Sequence, residues 1–94
     1  MIVGLCTYEI YLANSQSLKD KRRVLKSIIE RVKHKFNVSI AEVDRQDNWH
    51  RAVVGIAVIS NNSAHVNQIL NNVTKFIENS KNDIELINVT MEVI

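Results

Sequence analysis

Proline is absent from this 94-residue chain, and glycine occurs only at Gly4 and Gly55. Turns must therefore rely on Asn, Asp and Ser, which also favour turn conformations. Cys6 is the only cysteine, which excludes an intramolecular disulfide and a cysteine-based zinc site. No apolar run reaches the roughly 20 residues of a membrane helix, and the apolar N-terminal stretch lacks the basic segment of a signal peptide. We expect a cytoplasmic protein without a membrane span.

A chain of this length forms one domain, residues 1–94. Apolar residues make up 46% of it, which is ordinary for a globular protein with a modest core. Neither glycine lies in a turn from a strand to a helix, so the phosphate-binding glycine loops of nucleotide enzymes are missing. The sequence predicts no cofactor.

The positive charge is concentrated in one segment. Residues 17–36 hold eight Lys or Arg against two acids, a net charge of +6. The other four basic residues of the chain face eight acidic ones, so the remainder is negative. A concentrated basic surface attracts a polyanion.

The hydrophobic pattern predicts six elements in the order strand, helix, strand, strand, helix, strand. Residues 2–12, 38–43, 49–60 and 83–94 are typical of strands, with an expected bulge at Ile40 and Ala41. A helix begins after Ser17 and ends near Asn37, and a second is capped by residues 61–63 and closed by 79–82. Split crossovers of this order predict a ferredoxin-like βαββαβ sandwich, in which two helices cover one face of a four-stranded antiparallel sheet.

One flank of the first predicted helix forms a contiguous row of cations beside the apolar stripe. Such a row suits phosphate contact, because neutralised phosphates release their condensed counterions. The alternative is a solvated face that keeps the protein soluble. The members of this cation row are Lys19, Arg22, Arg23, Lys26 and Lys33.

Lys21 falls inside the apolar stripe of the same helix. The favoured interpretation is snorkelling, in which the stem follows apolar surface and the ammonium reaches water. The alternative is that Lys21 meets a carboxylate on the sheet or lines an anion pocket at the helix N-terminus.

The region between the second and third strands holds a second candidate cluster. Its acids and His50 permit a metal or acid–base site, but the spacing of calcium loops is missing and Asp and Asn are ordinary turn residues. We expect a structural hairpin without metal or catalytic residues, with Trp49 packed on the sheet or on a neighbour. The candidate anion or partner site is Lys21, Asp47, Trp49 and Arg51.

The third strand is apolar on both faces, yet helices can cover only one. Either Val53, Ala57 and Ile59 or the alternate set Val54, Ile56 and Val58 must lie on the open face. Exposed apolar area of this kind usually marks an interface. We therefore expect a homodimer or a higher homo-oligomer.

Three stretches, residues 17–24, 36–44 and 46–52, closely resemble the bacterial YlxP-like family, a small family of unknown function; the similarity runs the full length of the chain. The resemblance implies a ferredoxin-like fold and no established catalytic residues. Members are often encoded near genes for translation and ribosome maturation, which points to RNA. One departure is Asp20, where relatives commonly show Glu.

These observations predict a non-enzymatic RNA- or ribosome-associated binding protein that uses its basic first helix. The second hypothesis is a homo-oligomeric protein-interaction module that works through its apolar sheet face. The third is a small-anion enzyme that uses Lys21 with Glu42, Asp44 and Asp47.

Overall fold

The computed structural model describes residues 1–80 and 84–94, and it has the predicted order of elements. The elements are β1 (Ile2–Leu12), α1 (Leu18–Lys35), β2 (Ser39–Asp44), β3 (Arg51–Ser60), α2 (Ser63–Glu78) and β4 (Ile84–Val93). The sheet runs β2-β3-β1-β4 with antiparallel pairing throughout, so β2 and β4 are its edges. The ferredoxin-like prediction is confirmed. The predicted strand start at Asp83 and the turn residues Lys81 and Asn82 lie outside the described residues.

The core lies between the sheet and the two helices. β1 buries Cys6, Tyr8, Ile10 and Leu12, which are alternate residues on one face of the strand. The even-numbered residues 52–58 of β3 are buried beside them. The first of the two predicted sets, Val53, Ala57 and Ile59, therefore occupies the open face.

Local hydrogen bonds at the helix ends explain where both helices begin. The hydroxyl of Ser17 accepts from the backbone N–H of Asp20, as predicted for the N-cap of α1. The Asp20 carboxylate accepts in turn from the N–H of Gln16, so the shorter acid reaches back one residue beyond the cap. The amide oxygen of Asn62 accepts from Ala64 and His65 and caps α2.

Two details of the edge strands differ from the expectation. The bulge of β2 falls between Glu42 and Asp44, where the register with β3 shifts, and the prediction of a bulge at Ile40 and Ala41 is wrong. The register of β4 with β1 also shifts, opposite Glu9 and Ile10. On the C-terminal side of that shift, the apolar residues of β4 pair with buried residues of β1 and yet are exposed, because they lie at the uncovered margin of the helical layer. These residues are Val89, Met91 and Val93.

Candidate nucleic-acid interface

The cation row predicted on α1 is on the surface. Four of its members lie at intervals of three, four and seven residues, which brings them to one side of the helix. The buried side of α1 is made by Leu25, Ile28 and Val32 together with Lys21. All five members of the row are exposed: Lys19, Arg22, Arg23, Lys26 and Lys33.

Few acids offset this row. Arg23 lies 3.4 Å from the carboxylate of Asp20, and both side chains are solvent-accessible. Exposed pairs of this kind contribute little stability and are screened by salt. Within residues 1–80 and 84–94, the remaining four cations make no salt bridge. The row therefore carries most of its charge into solvent.

Lys21 does not snorkel, and that expectation is wrong. Its side chain is 0% exposed, and its ammonium nitrogen donates to three backbone carbonyls. The Nζ–O distances are 2.6 Å to Arg45, 2.7 Å to Asn48 and 2.9 Å to Arg51. An ammonium has three N–H donors, so this carbonyl cage uses all of them. Lys21 has no donor left for an anion.

Glu42 supplies the counter-charge for this buried ammonium. Its Oε2 lies 3.0 Å from Nζ of Lys21 and accepts no hydrogen bond. Because the three N–H bonds of the ammonium point at carbonyls, the carboxylate is held by charge alone. Lys21 therefore meets a carboxylate on the sheet, which was one of the alternatives considered for it.

The cage shapes the turn between β2 and β3. Arg45 has a φ of 58°, a left-handed conformation that is uncommon for a residue with a side chain. The amide oxygen of Asn48 accepts from the N–H groups of His50 and Arg51. With three carbonyls directed at Lys21, the turn is fixed against the start of α1.

The four residues of the second candidate cluster do not meet in one place. Lys21 is inside the cage, whereas Asp47 and Trp49 are exposed at the turn, with Trp49 50% exposed. The guanidinium of Arg51 lies on the open face, 3.2 Å from the Glu9 carboxylate and 5.7 Å from the ring centre of Tyr11.

A groove between α1 and α2 is the feature that sequence reasoning missed. Phe36 and Phe76 meet edge to face there, with ring centres 5.7 Å apart. The ammonium of Lys35 lies 4.9 Å from the centre of the Phe76 ring. The available signal was the position of Arg31 and Lys35 on the far flank of α1, but only the fold brings α2 beside them. The lining residues are Arg31, Lys35, Phe36, Asn72, Lys75, Phe76, Asn79 and Ser80.

The open face of the sheet is apolar along its centre. Ile59 is 64% exposed, and Val43 is also exposed on this face. A shallow depression of about 310 Å³ lies over Gly55, with Leu5 and Ala57 among its lining. The same face thus carries both protruding side chains and a recess.

The remaining candidate groups are placed as follows. Cys6 is buried, and burial raises the pKa of its thiol, which disfavours the reactive thiolate. His34 and His65 are exposed. Within the part of the chain that the structure describes, no three His, Cys, Asp or Glu side chains converge to hold a metal ion. None of the described helices is both long and apolar enough to cross a membrane.

Two sequence comparisons match this chain to proteins without an assigned activity. The sequence model of a family described as "Protein of unknown function (DUF503)" matches residues 3–91. A relative from Bacillus subtilis (strain 168), described as "Uncharacterized protein YlxP", is 42% identical over 77 residues, which is 82% of this chain and 84% of the relative. The resemblance carried by the three sequence stretches is confirmed.

Two solved structures that match this chain are designed proteins. The de novo designed protein Foldit4 covers 100% of this chain and 97% of its own, with a TM-score of 0.55 and 18% identity. The de novo designed protein LFR1 1 with ferredoxin fold covers 100% and 84%, with a TM-score of 0.57 and 15% identity. At such identities these matches show the fold alone.

Proposed function

Since the chain belongs to the DUF503 family, which is described only as a protein of unknown function, we propose a function from its own surface. The protein is an RNA- or ribosome-associated binding protein that works without catalysis, through α1. The cation row Lys19, Arg22, Arg23, Lys26 and Lys33 contacts RNA phosphates.

The observation that carries this proposal is the exposure of the whole row together with the scarcity of acids beside it. Phosphate contact by lysine and arginine releases condensed counterions, which supplies affinity without any sequence preference. Solubility alone explains a mixed surface of both signs. It gives no reason for a flank on which five cations face only Asp20 and Glu30, when most acids of the chain lie elsewhere.

The carbonyl cage around Lys21 supports the same proposal. A short element that contacts RNA loses less entropy on binding when it is already ordered. The carbonyl cage holds the β2–β3 turn against the first turns of α1, where Lys19, Arg22 and Arg23 lie. The N-terminal half of the row is thus attached to a fixed neighbour.

The first test reverses three cations, as Arg22→Glu, Arg23→Glu and Lys26→Glu in one variant. Fluorescence anisotropy with ribosomal RNA fragments should show a loss of affinity of about 100-fold or more, because three charge-assisted contacts are lost. The variant should remain folded, since all three side chains are exposed. Unchanged affinity in a folded variant contradicts the proposal.

A matched pair of variants separates local contact from net charge. Arg22→Gln with Lys26→Gln removes two positive charges from the row. Asn88→Asp with Thr90→Glu adds two negative charges on β4, at the sheet edge opposite the β2 edge on which α1 packs. The first variant should weaken RNA binding at least about tenfold, and the second much less. Equal losses would mean that only the total charge acts.

A second candidate function is a homodimeric interaction module, which the open sheet face favours. Ile59 and Val43 protrude beside the depression over Gly55. A twofold interface needs one surface that offers both a protrusion and a recess, because each copy receives what it presents. The occupant of this face is a second copy of the chain, packed sheet on sheet.

A further inference from the structure

We propose that the groove between α1 and α2 is a binding site for a nucleoside phosphate. Its cations hold the phosphate, and its aromatic rings receive the base. The inference rests on the proposed function for the expected source of the nucleotide, an unpaired position in RNA. A free nucleotide has the same chemistry, and the experiments below distinguish the two sources.

Size and charge suit such a ligand. The groove has a volume of about 730 Å³, within the usual range for small-molecule sites. Arg31 and Lys35 of α1 and Lys75 of α2 line it, and among residues 1–80 and 84–94 no carboxylate belongs to its lining. Three cations from two helices around one recess form a local field that favours a phosphate.

The rings give the groove a second kind of surface. Phe36 and Phe76 are partly buried and packed edge to face, so they present fixed apolar area at the base of the groove. Bases stack on aromatic side chains with little dependence on sequence. The side-chain amides of Asn72 and Asn79 also line the groove and can donate to or accept from a base edge.

Lys35 connects the two halves of the site. Its ammonium lies over the ring of Phe76, at 4.9 Å from the centre. This cation–π contact is weak at an exposed position, and the long stem lets the ammonium turn away. A phosphate in the groove attracts the ammonium, which uncovers the ring for the base. Binding of the phosphate and of the base is therefore coupled through one side chain.

Compensation of the helix dipoles does not account for this arrangement. Positive side chains near the C-terminus of a helix are favourable, and that explains Lys35 and Lys75 one at a time. Arg31 stands before the last turn of α1, where the dipole is weaker, yet it lines the same recess. Compensation of the dipoles also gives no reason for aromatic rings between the cations.

The test is a titration of the full chain with adenosine 5′-monophosphate, followed by NMR of the backbone amides. Shifts should concentrate at residues 72–80 and at Arg31, Lys35 and Phe36. The affinity for adenosine 5′-monophosphate should exceed that for ribose 5-phosphate at least about fivefold, the lower end of what stacking of one base contributes. Equal affinities, or shifts spread over the cation row, overturn the proposal.

Matched charge variants test the same point without altering the core. Arg31→Gln with Lys75→Gln should weaken adenosine 5′-monophosphate binding at least about tenfold. Lys19→Gln with Arg22→Gln removes the same charge from the row, at residues that line neither the groove nor the depression beside it, and should leave this binding unchanged. Phe76→Leu should lower the affinity to that for ribose 5-phosphate, with the folded state checked by circular dichroism. Equal effects of the two charge variants overturn the proposal.

A 5′-phosphorylated oligoadenylate identifies the source of the ligand. If RNA supplies the nucleotide, the oligomer should bind at least about tenfold more tightly than the mononucleotide and should shift the same groove amides. Equal binding supports the site with a free nucleotide as its ligand. RNA binding that depends on Arg22 and Lys26 while the groove amides stay silent overturns the groove and leaves the proposed function. Groove binding of the mononucleotide without any RNA binding supports the groove as a site and overturns the proposed function.

Discussion

The ammonium of Lys21 lies 3.0 Å from the carboxylate of Glu42, and neither group lies on the face that α1 presents to solvent. Three backbone carbonyls complete the surroundings of the ammonium. Removal of one partner from a buried pair leaves the other charge without compensation. The pair therefore holds the β2–β3 turn in place and stabilises the folded protein, so variants that lack either residue should unfold more easily.

Lys21→Met should lower the free energy of unfolding by about 3–5 kcal/mol, because Glu42 and three carbonyls lose their partner. Glu42→Gln should cost less, about 1–2 kcal/mol, because the carbonyl cage remains. Urea denaturation followed by the fluorescence of Trp49, the only tryptophan of the chain, measures both.

The double variant provides the control for this pair. If Lys21 and Glu42 interact, the double variant should cost less than the sum of the single variants, by at least about 1 kcal/mol. Strictly additive costs would show that the two charges act independently, which contradicts the geometry.

Substitution by alanine should cost stability at Gly4 and very little at Gly55. Gly4→Ala would place a methyl group against Val66 and within 3.1 Å of Leu70, where α2 packs on β1. It should destabilise the protein by about 1–3 kcal/mol. Gly55→Ala meets Val43 at 3.3 Å on the open face and should change stability by no more than about 0.5 kcal/mol. Thermal melts of both variants compare them, and equal costs would contradict the packing described for Gly4.

Cys6 should be unreactive in the folded protein. It is 1% exposed, and burial raises the pKa of its thiol, so the thiolate is scarce near neutral pH. Labelling with a thiol reagent at pH 7–8 should follow global unfolding, with full reaction in urea. Rapid modification of the folded chain would contradict the burial of this side chain.

The sheet face predicts the oligomeric state. Sedimentation at micromolar concentration should show a dimer if the open face joins two copies, and Ile59→Glu should convert it to a monomer by placing a charge in an apolar interface. Met91→Glu is the control, because Met91 is exposed on the helix side of β4. A wild-type monomer contradicts the dimer.

Most of the fold follows from the sequence, because the spacing of apolar residues within each segment distinguishes a strand from a helix. The alternation of β1 and the stripe of α1 predict their buried faces, and Ser17 and residues 61–63 predict the helix starts. The surroundings of Lys21 do not follow in the same way, since its main partners are backbone carbonyls, which leave no trace in residue identity. A partial signal existed: Glu42 shares the inward face of Ile40 in β2.

The candidate interface also has one part that follows from the sequence and one part that does not. The cation row follows from helical spacing alone, because a single helix positions all five residues. The groove needs the packing of α2 beside α1, and Lys75 is distant from Arg31 in the chain. The exposed residues of β4 depend on how far the helical layer extends over the sheet edge. Spacing within one element cannot supply that information.

The most direct test of the account is the salt dependence of RNA binding. Fluorescence anisotropy with single-stranded ribosomal RNA fragments should give a slope of log K against log salt of about −3, from roughly −0.7 for each of four or five phosphate contacts. The variant Arg22→Gln with Lys26→Gln should give a slope shallower by about 1.4. Absence of binding at low salt, or a slope that this variant leaves unchanged, would contradict the role assigned to α1.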